Sequence, residues 1–209
     1  SSRWLNGLTV ILPHDSLADR IKRISFVREV QLTKPAPAPK SGFRKFETVN
    51  PADDIDSLYY GPSVFQVGQL KGQYFHQNGF RGKGKLIAVL DAGFYHVDQL
   101  PAFDSLRSNR QILGVRDFVN PKSDIYAGHS HGMMVLSTMG GNWPGKLIGT
   151  APDANYLLLR SEDAASEYLI EEDNWVAAAE YADSLGADII NSSLGYYLFD
   201  LPVMDHTYA

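Results

Sequence analysis

Two residues have neighbours that suit them for proton transfer. Asp91 follows Leu86-Ile87-Ala88-Val89-Leu90, a continuous apolar run, and precedes Ala92-Gly93. Such a run bounded by turn signals predicts a strand buried on both faces, which puts the carboxylate at its carboxyl end, with a glycine to relax the turn. His131 opens a stretch of small and apolar residues, 131–140, that reads as a helix buried rather than amphipathic, and Gly132 permits close backbone approach. A carboxylate held against an imidazole fixes the tautomer and stabilises the imidazolium formed when the ring takes a proton, which makes a general-base pair. Alone, an aspartate after a strand most often just caps the turn. His129 is a competing base, and a His-x-His pair can bind zinc, but no third ligand pattern accompanies it. His14, His76, His96 and His206 lie in no motif and read as surface or internally satisfied side chains.

The elements that must position this pair follow from the pattern. Residues 3–12 and 26–32 are rich in β-branched and aromatic side chains and flank Leu17, Ile21 and Ile24 at helical spacing, which reads as strand, helix, strand. Three alternating prolines, Pro35, Pro37 and Pro39, mark a linker over 34–48. Residues 59–79 are expected to form a helix with Phe65, Leu70 and Tyr74 on one side, closed by Gly79. Strands are expected at 86–90, 112–118, 154–159 and 187–191, with helices at 131–140 and 174–184. Buried strands alternating with helices argue a doubly wound α/β layer, with a mostly parallel sheet and helices on both faces. Ligands of such layers gather at the carboxyl ends of the strands.

Four motifs in order resemble the subtilisin-like serine proteases, the subtilases. Residues 86–93 resemble the family's aspartate motif, Ser130-His131-Gly132 its histidine motif, 149–154 its G-x-A-P-x-A turn, and 190–195 the strand that pairs with the substrate backbone. The order of aspartate before histidine matches the subtilisin arrangement. The resemblance implies that Asp91 and His131 are catalytic, that Ser193, Leu194 and Gly195 bind the substrate, and that the partners are peptides or proteins. It also implies that residues 1–33 are the end of an inhibitor-type α+β propeptide and residues 49–209 the N-terminal portion of the catalytic domain. Ala92 stands where the family usually has a hydroxyl residue, and Met133 where it has threonine; neither exchange alters a proton-transfer group. After Gly195 the sequence offers no oxyanion asparagine and no nucleophile motif. The implied reading is therefore an Asp-His-Ser peptidase whose serine and oxyanion residue come from a C-terminal fragment, this chain alone being inactive. The alternative is a catalytically inactive peptide-binding or assembly module.

Composition narrows the rest. Residues 1–50 hold nine Lys/Arg against four Asp/Glu, whereas the remainder holds ten against twenty, so a basic front module is expected to dock on an acidic body. The basic residues are scattered, which argues against nucleic-acid binding. No apolar run approaches the roughly 20 residues of a membrane span. Without cysteine there are no disulfides or thiol chemistry. No cofactor enters the implied chemistry; structural calcium is common in the family, but no oxygen-ligand set can be assigned. An exported location, secreted, periplasmic or at the cell surface, is implied by the resemblance alone, since no signal peptide is seen. Six acids fall within 161–173; such a run usually forms a solvated face, but by the family's pattern this loop borders the cleft and would favour basic substrate residues.

Overall fold

A computed structural model describes residues 2, 6–14, 16–33, 55–196 and 198–204. The expected linker, 34–48, lies outside the described residues. Four parallel strands form the central sheet: β1 (Leu86–Asp91), β2 (Ile112–Asp117), β5 (Asn155–Arg160) and β6 (Ile189–Ser192), in the order β2-β5-β1-β6. A short antiparallel hairpin, β3 (Asn142–Trp143) with β4 (Leu147–Ile148), lies apart from it.

The alternation of side chains along β1 and β5 divides the core into two layers. Ile87 and Val89 of β1 pair in register with Tyr156 and Leu158 of β5, and these four pack with Leu136 of α6 (His131–Gly140). Ala88 and Leu90 pair with Leu157 and Leu159 and pack against Ala178, Ala179 and Ala182 of α7 (Ile170–Ser184). The sheet therefore carries a helix on each face, as a doubly wound layer requires. A strand covered on both sides must be apolar at every position, which is why β1 reads as an unbroken run.

Several expectations need correction. The described parts of the front segment, 6–12 and 26–32, form no strand; their one ladder contact is an isolated bridge between Ser2 and Gly7. A strand needs a neighbour to take its hydrogen bonds, and Leu8, Ile11, Phe26 and Leu32 are exposed instead of covered. Only the helix survives there, as α1 (Ser16–Lys22). The single helix expected over 59–79 is broken into α2 (Ser57–Tyr60), a 3-10 turn at Gly61–Ser63, α3 (Val64–Gln69) and α4 (Gly72–Gln77). Pro62 opens the turn, and Lys71 takes a left-handed conformation with φ 54°. Its buried face is Tyr60, Val64 and Val67, while Phe65, Leu70 and Tyr74 face solvent.

Helix α6 is one-sided rather than wholly buried: Gly132, Leu136 and Gly140, at i, i+4 and i+8, face the sheet, and Met134 is exposed. Helix α7 begins four residues before the expected start, with Glu171, Glu172 and Asp173 in a first turn that favours acids. Following Pro101–Phe103, the short α5 (Asp104–Ser108) adds Leu106 to the core beneath α6.

The three alanines let α7 approach the sheet closely, so added volume there has no room. Replacing Ala179 by leucine is expected to destabilise the fold by about 1–3 kcal/mol, read as a lowered urea midpoint at unchanged slope.

Candidate active site

Three neighbouring strands end side by side. Asp91 is the last residue of β1 and faces Arg160, the last of β5; Leu90 pairs with Ser192, the last of β6. The segments leaving these strands converge where doubly wound sheets bind their ligands.

Asp91 is fully buried, and its Oδ1 accepts hydrogen bonds from the Ala92 backbone N–H and from His131 Nδ1, each at 2.7 Å. An ionised carboxylate only accepts, so the imidazole proton must sit on Nδ1, and Nε2 is left as the basic nitrogen. Burial pushes the Asp91 carboxyl above its ordinary value, and the bonds from His131 and Ala92 pull it back. Asp91 Oδ2 is buried with no partner among the described residues. Ala92, itself buried, offers it no hydroxyl.

Two glycines make the approach possible. A side chain on Gly93, whose φ is 151°, would strike the His129 backbone nitrogen at 2.4 Å. On Gly132, a Cβ would lie 2.5 Å from the Gly93 carbonyl oxygen and 2.8 Å from Asp91 Cβ. The first turn of α6 can therefore sit against the end of β1 only without that atom. The ring of His129 accepts the His131 backbone N–H at its Nδ1, 3.2 Å away, which occupies one of the free donors at the helix start. That role was not visible in the sequence, where His129 reads only as a competing base or zinc ligand.

Beside His131 opens a cleft of about 350 Å³. Ser193, Leu194 and Gly195, singled out in the sequence, form one wall, and Ala92 and His129 another. Behind the first wall, Leu194 packs on a satellite core of Tyr168, Leu169, Tyr196, Phe199 and Met204. Glu162, Ala164 and Glu167 complete the lining. A second concavity, about 330 Å³, lies beyond the end of β2 against Arg116, Asp117 and Tyr126 and holds neither Asp91 nor His131.

The acidic loop is not simply a solvated face. Glu171 is wholly buried, and Glu162 and Glu167 are half-buried. Burial, with Glu167 and Asp91 nearby, raises Glu162 to about 7; burial, with Glu167 and Glu162, raises Glu171 to about 9. Arg160, absent from the sequence-level candidates, ties the strand ends together. Its Nε donates to the carbonyls of Ala92 and Glu162, and its Nη1 donates to buried Asp117 at 3.0 Å. Nothing local in the sequence marks this bridging role, because Asp117 lies at the end of β2 and Ala92 just after β1. His76 bridges Tyr60 and the Thr150 carbonyl, a satisfied histidine as its lack of a motif suggests. Among the described residues, no three His, Cys, Asp or Glu side chains are placed to hold a metal ion.

The profile of the subtilase family, peptidase S8, matches residues 82–204, a span holding Asp91, His131 and Ser193 to Gly195. The chain belongs to the subtilase family. Subtilisin E of Bacillus subtilis is 29% identical over 146 residues, covering 68% of this chain and 35% of the relative. The minor extracellular protease Vpr of the same organism is 27% identical over 194 residues, covering 91% of this chain and 23% of its own length. The structure of MycP1, a serine protease and an essential component of the type VII (ESX-1) secretion system, aligns at TM-score 0.47 and 22% identity, over 80% of this chain and 49% of that one. This subtilase chain thus spans about a third or less of the length of these two relatives.

Two outcomes follow. Gly132→Ala should force α6 away from β1, cost about 1–3 kcal/mol, and lengthen the contact between Asp91 and His131 in a crystal structure of the variant. The second concerns Glu171, whose value in the fold is raised from 4.5 to about 9. Its neutral form contributes stability that is complete below the unfolded value and is lost as pH rises through the folded one. The melting temperature of Glu171→Gln relative to the parent should therefore climb between pH 5 and pH 9; a difference independent of pH would contradict the assignment.

Proposed function

We propose that this chain is the front part of a serine endopeptidase that hydrolyses peptide bonds by acyl transfer, with Asp91 and His131 as two members of its triad. The observation that carries the reading is the 2.7 Å contact between the buried carboxylate and His131 Nδ1, at a cleft walled by Ser193, Leu194 and Gly195. His131 Nε2 takes the proton of a serine carried by a segment beyond residue 209. The serine oxygen attacks the substrate carbonyl, and Asp91 stabilises the imidazolium. Oxyanion donors from that same segment hold the tetrahedral intermediate, and the imidazolium then protonates the departing amine. No metal or organic cofactor is needed in these steps. The wall from Ser193 to Gly195 holds the extended substrate backbone, which needs no particular side chain.

The edge strand supports a further segment. Ile189 and Ile190 of β6 are 52% and 37% exposed, an apolar edge that soluble proteins ordinarily cover. In our reading, strands from beyond residue 209 pair there and bring the serine with them, and the present chain alone is inactive.

Residues 1–33 act as an inhibitory propeptide module in this account, released by cleavage in the linker at 34–48. Contacts with α7 support that docking: Ser2 Oγ donates to Glu180 at 2.5 Å, Thr9 Oγ1 donates to Asp173 at 2.6 Å, and the Ile170 N–H donates to the Thr33 carbonyl at 2.6 Å. The enzyme is exported, as the name of the extracellular relative suggests for that protein.

A serine-directed fluorophosphonate should label the full-length protein once the linker is cut, and His131→Ala should abolish the labelling. Asp91→Asn should lower kcat on a peptide substrate by about 10³–10⁴-fold. Full-length protein that binds peptides but never reacts would favour the non-catalytic alternative.

A further inference from the structure

Asp91, Arg160 and Asp117 stand in register across three adjacent strand ends, those of β1, β5 and β2. The arginine between the two acids is mostly buried, and so is Asp117. Arg160 makes no hydrogen bond to Asp91, whose Oδ1 is taken by Ala92 and His131 and whose Oδ2 has no partner among the described residues. Its Nε donates instead to two carbonyls on different segments, that of Ala92 at 3.1 Å and that of Glu162 at 3.2 Å. Nη1 donates to Asp117 Oδ2 at 3.0 Å, and Nη2 lies 3.8 Å from Asp163 Oδ1.

Asp117 does not depend on this arginine for hydrogen bonds. Its Oδ1 accepts the backbone N–H groups of Val119 and Asn120 at 2.8 and 2.7 Å, and its Oδ2 accepts the Ser123 hydroxyl. Those bonds root the segment that leaves β2 and runs to α6. The same segment is tied to the one leaving β1: the Phe94 N–H donates to the Ile125 carbonyl at 3.0 Å, His96 N–H to Tyr126 at 2.9 Å, and Tyr95 N–H to His129 at 3.4 Å. His131 is thus delivered by a loop rooted at Asp117, and Asp91 is followed at once by the Ala92 carbonyl. One guanidinium holds both roots, through a planar fork that a point charge does not reproduce. The 2.7 Å bond between Asp91 and His131 tolerates little relative movement of those roots.

We propose that Arg160 is a positioning residue for the pair of Asp91 and His131: by joining the backbone after β1 to the loop root at Asp117, it sets the distance at which the imidazole meets the carboxylate. Its effect on rate rests on the peptidase reading, whereas its effect on the geometry of the pair does not. The guanidinium acts through the backbone, not by touching substrate or either member of the pair. A misplacement of about 1 Å, caused by a change remote from the reacting atoms, can slow a reaction on the order of 100-fold.

The test compares the full-length, linker-cleaved parent with Arg160→Lys and Arg160→Met. Folding is checked by circular dichroism, kcat and KM are measured on one peptide substrate, and the His131 Nδ1–H is followed by its downfield ¹H resonance, which persists only while the bond to Asp91 protects that proton from exchange. Lysine keeps a positive charge beside Asp117 but offers one flexible ammonium in place of the fork. In both variants kcat should fall by about 10- to 100-fold, with KM changed far less, and the Nδ1–H resonance should broaden or vanish. If Arg160→Met, which strips the counter-charge from Asp117, does not fold, the lysine variant decides alone. An unchanged Nδ1–H resonance in folded Arg160→Lys overturns the proposal and leaves Arg160 a structural ion pair, and so does a loss confined to KM. A parent protein that cleaves no peptide removes the peptidase reading, while the resonance still decides the positioning role.

Discussion

A single hydrogen bond, from His131 Nδ1 to the buried Asp91 carboxylate, organises the rest of the site. Taking a carboxylate out of water is unfavourable unless charge or hydrogen-bond donors compensate, and here the compensation comes from one backbone N–H and one imidazole. The same contact leaves Nε2 as the only nitrogen of the ring able to accept a proton. Burial and orientation are therefore one constraint, and the surrounding structure is arranged to satisfy it.

Much of the fold serves that constraint. Strand β1 is flanked by β5 and β6 and covered by a helix on each face, so its end cannot shift without disturbing two core layers. Two glycines remove the atoms that would hold α6 and the segment around His129 away from that end. Arg160 then links the carboxyl ends of β2 and β5 to the backbone after β1, fixing the strand ends relative to one another. The acids are mounted on the same frame, since Glu162 lies just past β5, after Ser161, and Glu171 sits in the first turn of α7.

Legibility in the sequence followed the range of the interactions involved. Residues 86–90 and 154–159 could be read as buried strands because burial on both faces demands apolar side chains at nearly every position. The start of α6 was visible from the small residues after His131. The fate of the acids was not visible: Glu162, Glu167 and Glu171 look like a solvated run, and only the tertiary structure shows Glu171 enclosed. Arg160 escaped for the same reason, its partners Ala92 and Asp117 being brought to it by the sheet, whereas the capping role of His129 is local but rests on a ring orientation that the residue types do not fix. Residues 6–12 and 26–32 carry the composition of strands, yet composition cannot supply the neighbour that a strand requires. The broken helical segment after residue 57 shows the opposite failure, in which a helical spacing was read through a proline and a left-handed lysine.

The most direct test of the central claim is the protonation state of His131 in solution, read from the ¹⁵N resonances of histidine-labelled protein at neutral pH. The account predicts a protonated Nδ1 and a bare Nε2 for His131, with that tautomer preference lost in Asp91→Ala. An Nε2-protonated ring in the parent protein, or a spectrum indifferent to the loss of the Asp91 carboxylate, would contradict it.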